Sequence, residues 1–244
     1  ASIQEVLAYR DSAQAELDSL TESEEGAAAL EGAIPELEAQ LLAAGTALSR
    51  KRRAAAETLQ KRTQEILSHL GMPKVVFTVQ VTSTEPNGNR QIAGMYGFDT
   101  VEFLISPNPG EPVKPLNKIA SGGELSRVML ALKTVLAVAD EADTLVFDEI
   151  DTGIGGEVAR SVADHLHRLA QDKQILCITH LAVIAASADT HIKIQKLQSD
   201  HSSRTSAKAI EGAVRVEEIA RMLAGDEVSA ASRIHAQELL GISA

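Results

Sequence analysis

Two adjacent carboxylates, Asp148 and Glu149, follow an apolar run, residues 144–147, whose composition belongs inside a sheet. Carboxylates this close repel one another, so the pair needs a cation or a proton beside it. A magnesium ion suits this need: we expect Asp148 to hold it, directly or through water, and Glu149 to orient or deprotonate an attacking water. For the dipeptide alone, a strand that simply ends in solvent is the alternative.

The heptapeptide SGGELSR, Ser121 to Arg127, stands immediately before apolar residues at helical spacing. Ser121 is placed to cap that helix, and Gly122 and Gly123 would let an anion approach the unpaired N–H groups of its first turn. Ser121 and Glu124 also have the spacing of a capping box, which is common in ordinary helices. The motif alone therefore leaves a phosphate site and an ordinary cap open.

His180 ends a second apolar run, residues 174–179. A lone histidine is more often a structural residue, but at the carboxyl end of a neighbouring strand His180 would reach the terminal phosphate of a nucleotide. Asp151 opens a glycine-rich turn between the carboxylate pair and the next helix. That turn suits a contact that changes with nucleotide state.

Apolar strands and helices alternate from residue 121 onward, which predicts an α/β fold with a parallel sheet flanked by helices. Ligands bind at the carboxyl ends of such strands. The remaining strands are predicted as antiparallel, with helices closing the chain. The predicted strands are residues 74–81, 90–96, 100–105, 191–197 and 204–210, with a Pro86-Asn87-Gly88 turn, and the closing helices are 214–224 and 227–240.

The first seventy residues predict a long helical arm, because apolar residues recur at the spacings of three and four that are typical of a coiled coil. Gly26, Gly32 and Pro35 predict an interruption near residues 26–35, as two helices or a strong kink. A stripe this narrow needs a partner helix, which we expect from a segment preceding Ala1 or from another chain. A helical bundle on the arm's own domain is the alternative. The predicted division is 1–70 for the coiled-coil segment and 71–244 for the lobe.

The arm turns basic at Arg50, Lys51, Arg52 and Arg53. Such a cluster is usually a solvated face, and the alternative is a nucleic-acid contact at the neck of the arm. The net charge of −11 excludes a chain that coats nucleic acid over its whole surface, so any such contact must be local.

The composition also indicates the cellular compartment. Cys177 is the single cysteine, which excludes an intrachain disulfide framework and favours a reducing cytoplasm. No stretch reaches the roughly 18 apolar residues that a membrane-spanning helix needs, so we expect no membrane partner.

The four motifs in this order resemble the C-terminal half of an ABC-type ATPase head. By that resemblance Ser121 to Arg127 corresponds to the signature motif, Leu145 to Glu149 to the Walker B strand, Asp151 to the D-loop acid and His180 to the switch histidine. The flanking sequences VEFLISPNPGEPVKPLNKIASGGELSRVMLALK and FDEIDTGIGGEVA are similar to the RecN family, the bacterial DNA-repair members of the SMC-like branch. The residues after His180 read Leu-Ala-Val where that pattern more often has Pro-Gln.

The resemblance implies an ATPase with ATP and Mg²⁺ as cofactors and two heads that close on nucleotide as a homodimer. Ser121, Gly122, Gly123 and Glu124 would then serve the ATP of the partner head. No G-x-x-x-x-G-K-[ST] sequence occurs in the chain, so the Walker A loop is expected in an N-terminal lobe, with the ascending helix of the coiled coil.

The expected function is an SMC-like ATPase of double-strand break repair and recombination that holds or bridges DNA. Its partner would be double-stranded DNA, including ends or single-stranded tails, and its location the bacterial cytoplasm, in association with the nucleoid. One alternative is a DNA-tethering scaffold that binds nucleotide without turnover. Another is the ATP-binding subunit of a transporter, which the long arm disfavours.

Overall fold

The computed structural model describes residues 2–84, 94–106, 108, 110–119, 121–199, 202–225 and 227–242. Contacts divide them into two compact units, one of residues up to 54 with 81–100, and one of 55–80 with 101–244. The division between residues 54 and 55 falls inside the first helix. The sequence places the end of the coiled-coil segment at residue 70, and that boundary stays a prediction.

Helix α1, Ile3–His69, is continuous through Gly26, Gly32 and Pro35. The predicted break into two helices near residues 26–35 is therefore not present, and the alternative, a strong kink, stays a prediction. A proline removes one helical hydrogen bond, and the Ala, Leu, Glu and Gln residues around it are strong helix formers that sustain the helix on both sides. Leu17, Leu20, Leu37 and Leu41 are exposed, and the predicted partner helix stays a prediction.

The last turns of α1 belong to the second unit because their side chains bind its first strand, β1 (Val76–Ser83). Gln64 Oε1 accepts a hydrogen bond from Phe77 N–H at 2.9 Å, and Gln60 Oε1 accepts one from Val79 N–H at 3.2 Å. Leu67 and Leu70 are fully buried in the core of this unit. Burial and side-chain hydrogen bonds together hold this end of the helix on the sheet.

Strand β1 belongs to a three-stranded sheet of order β1-β2-β3, with β2 at Asp99–Ser106 and β3 at Lys114–Pro115. Strands β2 and β3 are antiparallel, and Pro115 pairs with Leu104 at the sheet edge, where a proline is tolerated. A short 3-10 helix, Leu116–Lys118, leads toward Ser121. In the region of the predicted strand 90–96, Gly94 forms an isolated bridge with Gly97, whereas residues 90–93 and the predicted 86–88 turn lie outside the described residues.

Helix α2 (Gly122–Leu136), strand β4 (Thr144–Phe147), helix α3 (Gly156–Leu169), strand β5 (Gln174–Cys177) and helix α4 (Ala182–Ser187) follow in order. Strands β4 and β5 are parallel, and Thr144 pairs with Gln174 and Phe147 with Cys177. Parallel neighbours and antiparallel strands in one chain confirm the predicted mixed α/β class.

A long antiparallel pair, β6 (His191–Ser199) and β7 (Ser202–Ile210), precedes helices α5 (Gly212–Ala224) and α6 (Ala230–Leu239). The main core of the second unit packs α2 and α3 on β4, and a smaller cluster joins α4, α5 and α6. None of the helices described here is both long enough and apolar enough to cross a lipid bilayer.

Candidate functional site

The parallel pairing of β4 and β5 brings two polar chain segments to one edge of the sheet. Ile178 N–H donates to Phe147 O at 2.9 Å, which extends the pairing one residue beyond β5. Asp148 and Glu149 therefore follow β4 at the same edge where Thr179 and His180 follow β5, since parallel strands end together.

Glu149 has a left-handed backbone, with φ of 56°, and no other non-glycine residue in the described part of the chain has a positive φ. Its N–H donates to Asp148 Oδ1 at 2.9 Å, and its carbonyl accepts from Thr152 N–H at 3.1 Å. A left-handed residue with a side chain costs about 1 kcal/mol or more, and such residues persist where surrounding structure holds them. The chain turns sharply here and presents the Glu149 side chain to the start of α2.

The two glycines of the heptapeptide make room for that turn. A Cβ atom on Gly122 would lie 2.2 Å from Glu149 Oε2, and one on Gly123 would lie 2.9 Å from the Glu149 carbonyl oxygen and from Thr152 Cβ. The Glu149 carboxylate thus lies against the first turn of α2, where the helix dipole favours negative charge. The Glu149 side chain therefore occupies the space next to Gly122, whereas Gly123 lies against the backbone of the turn.

Ser121 is the N-cap of α2, with an extended backbone and a side chain that accepts from Glu124 N–H at 3.4 Å. The return bond of a capping box, from the Ser121 N–H to the Glu124 side chain, is not among the hydrogen bonds of the described residues. Ser121 therefore caps the helix by itself, and Glu124 has its side chain available for other contacts.

Ser126 and Arg127 tie α2 to the turn that follows β4, and the sequence reasoning missed both. Ser126 Oγ donates to the Asp148 carbonyl at 2.7 Å. Arg127 Nη1 donates to the carbonyls of Ile150 and Thr152 at 3.3 and 3.0 Å. Arg127 is 7% exposed, and burial lowers the pKa of its guanidinium, an effect that nearby Glu124 opposes. The signal in the sequence was an arginine directly before the apolar residues Val128 to Leu132 of the helix.

Asp151 lies inside the fold, where its Oδ2 atom accepts two hydrogen bonds and contacts one ring nitrogen. Thr179 Oγ1 lies 2.5 Å from Oδ2, the His180 N–H nitrogen 2.7 Å and His180 Nδ1 2.9 Å. Burial raises the pKa of Asp151, but the hydrogen bonds from Thr179 and His180 outweigh that effect, so the net pKa is lowered. The carboxylate is therefore ionised at neutral pH.

Cys177, at the end of β5, does not act as a nucleophile. Burial raises the pKa of its thiol to about 12, and the negative charges of Asp151 and Asp148 add to the effect. The thiolate is the reactive form of cysteine, so this side chain stays inert at neutral pH.

The basic cluster of the first unit divides into two pairs. Arg52 Nη1 lies 3.0 Å from Asp99 Oδ2, and Arg53 Nη2 donates to Ser83 Oγ at 2.7 Å. Arg50 and Lys51 are exposed, and no ion pair involves either of them in the part of the chain that the structure describes. Of the four side chains, Arg52 has its charge paired with a carboxylate, and Arg53 has one donor engaged by a neutral hydroxyl.

Relatives in sequence match this chain over nearly its whole length. The chain is 54% identical over 239 residues to a protein named DNA repair protein RecN from Treponema pallidum, and the match covers 98% of this chain. Proteins of the same name from Bacillus subtilis and Deinococcus radiodurans are 35% and 41% identical, each over 98% of this chain. This chain is a homologue of RecN. It spans 42%, 43% and 41% of the lengths of these three RecN proteins. No family model matches it.

Solved structures similar to this RecN homologue are SMC head domains. One is a Pyrococcus yayanosii Smc head with a coiled coil and joint, at TM-score 0.43 and 25% identity, over 64% of this chain and 27% of that one. Another is a Pyrococcus furiosus Smc head with an extended coiled coil, bound to the C-terminal domain of ScpA, at TM-score 0.42 and 23% identity, over 69% of this chain and 37% of that one. The site described above rests on the chain's own geometry.

Proposed function

We propose that this chain supplies one half of an ATP-hydrolysing head in a RecN-type protein of DNA double-strand break repair and recombination. The observation that carries the proposal is the Glu149 carboxylate, which follows a buried strand and lies against the glycine start of α2. Phosphoryl transfer depends on positioning and charge stabilisation, and an exposed carboxylate at the end of a buried strand is a group that can position the attacking water. The relatives named DNA repair protein RecN support the same class of function.

The proposed reaction is in-line attack of water on the terminal phosphate of ATP. Glu149 orients that water or accepts its proton, and His180 donates a hydrogen bond to the transferring phosphoryl group. The exposed Glu149 and His180 side chains follow adjacent strands, so both are accessible to a nucleotide at the sheet edge.

Asp148 is the residue that would hold Mg²⁺. It is an exposed carboxylate, and no group of three or more His, Cys, Asp or Glu side chains in the described ranges could form a metal site by itself. This fits Mg²⁺, which proteins commonly bind through one or two carboxylates together with substrate phosphates. When bound, the ion would supply positive charge at the phosphates.

A complete site requires two further parts. One is a Walker A loop, which is absent from the printed sequence and which we place in an N-terminal lobe with an ascending coiled-coil helix. The other is a second head, because Ser121, Gly122, Gly123 and Glu124 are proposed to bind ATP held by the partner. ATP would then act as the bridge of a homodimer, and its binding energy would favour the closed pair.

DNA is the proposed macromolecular partner, as a duplex, a duplex end or a single-stranded tail, in the bacterial cytoplasm and at the nucleoid. Within the basic cluster, Arg50 and Lys51 are the stronger candidates for a phosphate contact. Arg52 and Arg53 already bind Asp99 and Ser83, so their donors are partly engaged. Phosphate contacts of this type provide affinity without sequence preference.

The test is Glu149→Gln in a protein that contains this chain together with the proposed N-terminal lobe, called the two-lobed protein below. We expect ATP turnover to fall by about 10²- to 10⁴-fold, the contribution of a general base. ATP-driven dimerisation, measured by light scattering, should persist because binding does not require the base. Glu141→Gln is the matched control, since this exposed glutamate precedes the opposite end of β4. Phosphate release within a factor of two of the unmodified protein would remove Glu149 from the role.

A further inference from the structure

The switch histidine proposed above is not a free side chain. The imidazole of His180 is 72% exposed, whereas the Asp151 carboxylate that it contacts is 4% exposed. One nitrogen of the ring therefore lies against a buried anion, and the opposite edge of the ring faces solvent.

The contact determines which ring nitrogen carries hydrogen. An ionised carboxylate has no hydrogen to donate, and a bare Nδ1 lone pair 2.9 Å from Asp151 Oδ2 would be repelled, so the contact favours a hydrogen on His180 Nδ1. The neutral ring then has its hydrogen on Nδ1 and a bare lone pair on Nε2. Protonation of the ring would place a second hydrogen on Nε2, which makes that atom a charge-assisted donor to a phosphate oxygen.

Thr179 fixes the backbone on which the ring is mounted. Its hydroxyl donates to Asp151 Oδ2 at 2.5 Å and accepts from Leu181 N–H at 3.0 Å, and Leu181 is the N-cap of α4. The His180 N–H also donates to Asp151, at 2.7 Å. The His180 backbone and ring thus both contact the Asp151 carboxylate, and the Leu181 backbone bonds to Thr179, which donates to the same carboxylate.

We propose that Asp151 is a positioning residue for hydrolysis: it holds His180 in the Nδ1–H form and directs Nε2 outward toward the transferring phosphate. Asp151 touches no substrate atom and acts through the imidazole, as carboxylates act on catalytic histidines of other enzymes. The Nε2 ligand, a nucleotide phosphate, rests on the proposed function. The Nδ1–H state does not, because it follows from contacts within this chain.

The decisive measurement is a long-range ¹H–¹⁵N spectrum of the histidine rings in the ¹⁵N-labelled chain, without nucleotide. It is recorded at about pH 8.5, where an ordinary imidazole is neutral. We expect His180 to show a protonated Nδ1 and a bare Nε2. His235, an exposed histidine on α6 with no ion pair among the described residues, serves as the internal reference for an unconstrained ring.

A His180 ring with its hydrogen on Nε2 would overturn the proposal, whatever Glu149→Gln does to turnover. Asp151→Ala should move the His180 ring toward the equilibrium of His235, and an unchanged His180 spectrum in that variant also overturns it. The unmodified chain decides the question even if Asp151→Ala fails to fold.

In the two-lobed protein, Asp151→Ala should lower kcat at least tenfold and leave the KM for ATP within about twofold, since the lost interaction acts on the transferring phosphate. On a His180→Ala background, Asp151→Ala should add less than twofold, because both changes remove one unit. A full tenfold loss on that background would assign Asp151 a purely structural role. If the His180 ring carries its hydrogen on Nδ1 but the two-lobed protein never releases phosphate, Asp151 still positions the ring and the proposed hydrolysis is rejected.

Discussion

Two aspartates, one in each compact unit, are buried as anions in contrasting ways. Asp99 Oδ1 accepts from Ser49 Oγ at 2.7 Å and from Ser83 Oγ at 2.6 Å, while Oδ2 pairs with Arg52 at 3.0 Å. Hydrogen bonds from Ser83 and Ser49, with a further contribution from Arg52, lower the pKa of Asp99 to about 2. The donors to Asp151 are a hydroxyl, a backbone N–H and an imidazole that is mostly exposed.

The difference lies in the groups that touch each carboxylate. Of the groups that touch Asp99, Ser49 is 5% exposed and the Arg52 side chain 28%, and the exposed Arg53 reaches this network only through Ser83. The Asp151 carboxylate directly contacts a ring that solvent and ligands can reach. Hydrogen bonds among withdrawn groups stabilise a fold, whereas a buried anion beneath an exposed titratable ring can control chemistry outside it.

The largest effect on stability is expected from Asp99→Ala. Two hydroxyls and a guanidinium lose their shared acceptor, which should cost about 2 kcal/mol. Hydrogen exchange of the Thr84 N–H, which donates to the Phe98 carbonyl in the same unit, should accelerate by roughly 30-fold. The His180 ring spectrum should not change, because the two networks share no residue. A change in that spectrum would show that the networks are not independent.

The pH dependence of the free energy of unfolding tests whether Asp99 is ionised in the fold. The pKa of Asp99 is lowered to about 2 in the fold, against about 3.9 for an unfolded aspartate. Its contribution to stability is therefore complete above about pH 5 and is lost as the pH falls toward 2. Asp99→Asn, which keeps the shape of the side chain, should lack this component in thermal unfolding curves recorded across that range.

A stability effect of similar size tests how tightly the strand-end turn packs on α2. Gly123→Ala places a Cβ atom 2.9 Å from the Glu149 carbonyl and from Thr152 Cβ, so the turn must shift, at about 2 kcal/mol. Gly122→Ala meets the movable end of the Glu149 side chain and gains helix propensity, so its net effect on the free energy of unfolding should stay below about 1 kcal/mol. Urea unfolding measures both. Equal losses would mean that the Glu149 carboxylate is held as firmly as its backbone.

The smallest effect is expected on DNA affinity, where the exposed Arg50 and Lys51 are compared with Arg52, which is paired with Asp99. The double variant Arg50→Glu and Lys51→Glu should weaken binding of duplex DNA and reduce the slope of log affinity against log salt by about 0.9 for each phosphate that these two side chains neutralise. Arg52→Gln is the control: its guanidinium pairs with Asp99, so it should lower stability and leave the slope unchanged. Fluorescence anisotropy with a labelled duplex gives the slopes. An unchanged slope in the double variant would reject this surface as a DNA contact.

Much of the fold was predictable because its signals are local. The strand ending before Asp148, the strand ending near His180 and the final strand pair lie within a few residues of their predicted positions, since continuous apolar runs and flanking polar turns mark them. Pro35 misled the prediction because one missing hydrogen bond weakens a long helix without ending it.

The contacts of the site were not predictable from the sequence, because they join residues that are distant in the chain. Asp151 and His180 meet only through the register of β4 and β5, and Arg127 reaches two carbonyls of a turn that begins beyond β4. The roles suggested for Asp148, Glu149 and His180 came from residue order and resemblance, and they stay predictions.

Ser126 and Arg127 of α2 donate hydrogen bonds to three carbonyls of the Asp148–Thr152 turn. We therefore expect α2 and that turn to move together. In a pair of heads, α2 would serve the nucleotide of one head while the turn serves that of the other. Linkage is reciprocal: if ATP at one site changes the affinity of the other site through this connection, ATP at the other site changes the affinity of the first by the same factor. The two nucleotide sites of a pair of heads would thereby be coupled through α2 and the turn.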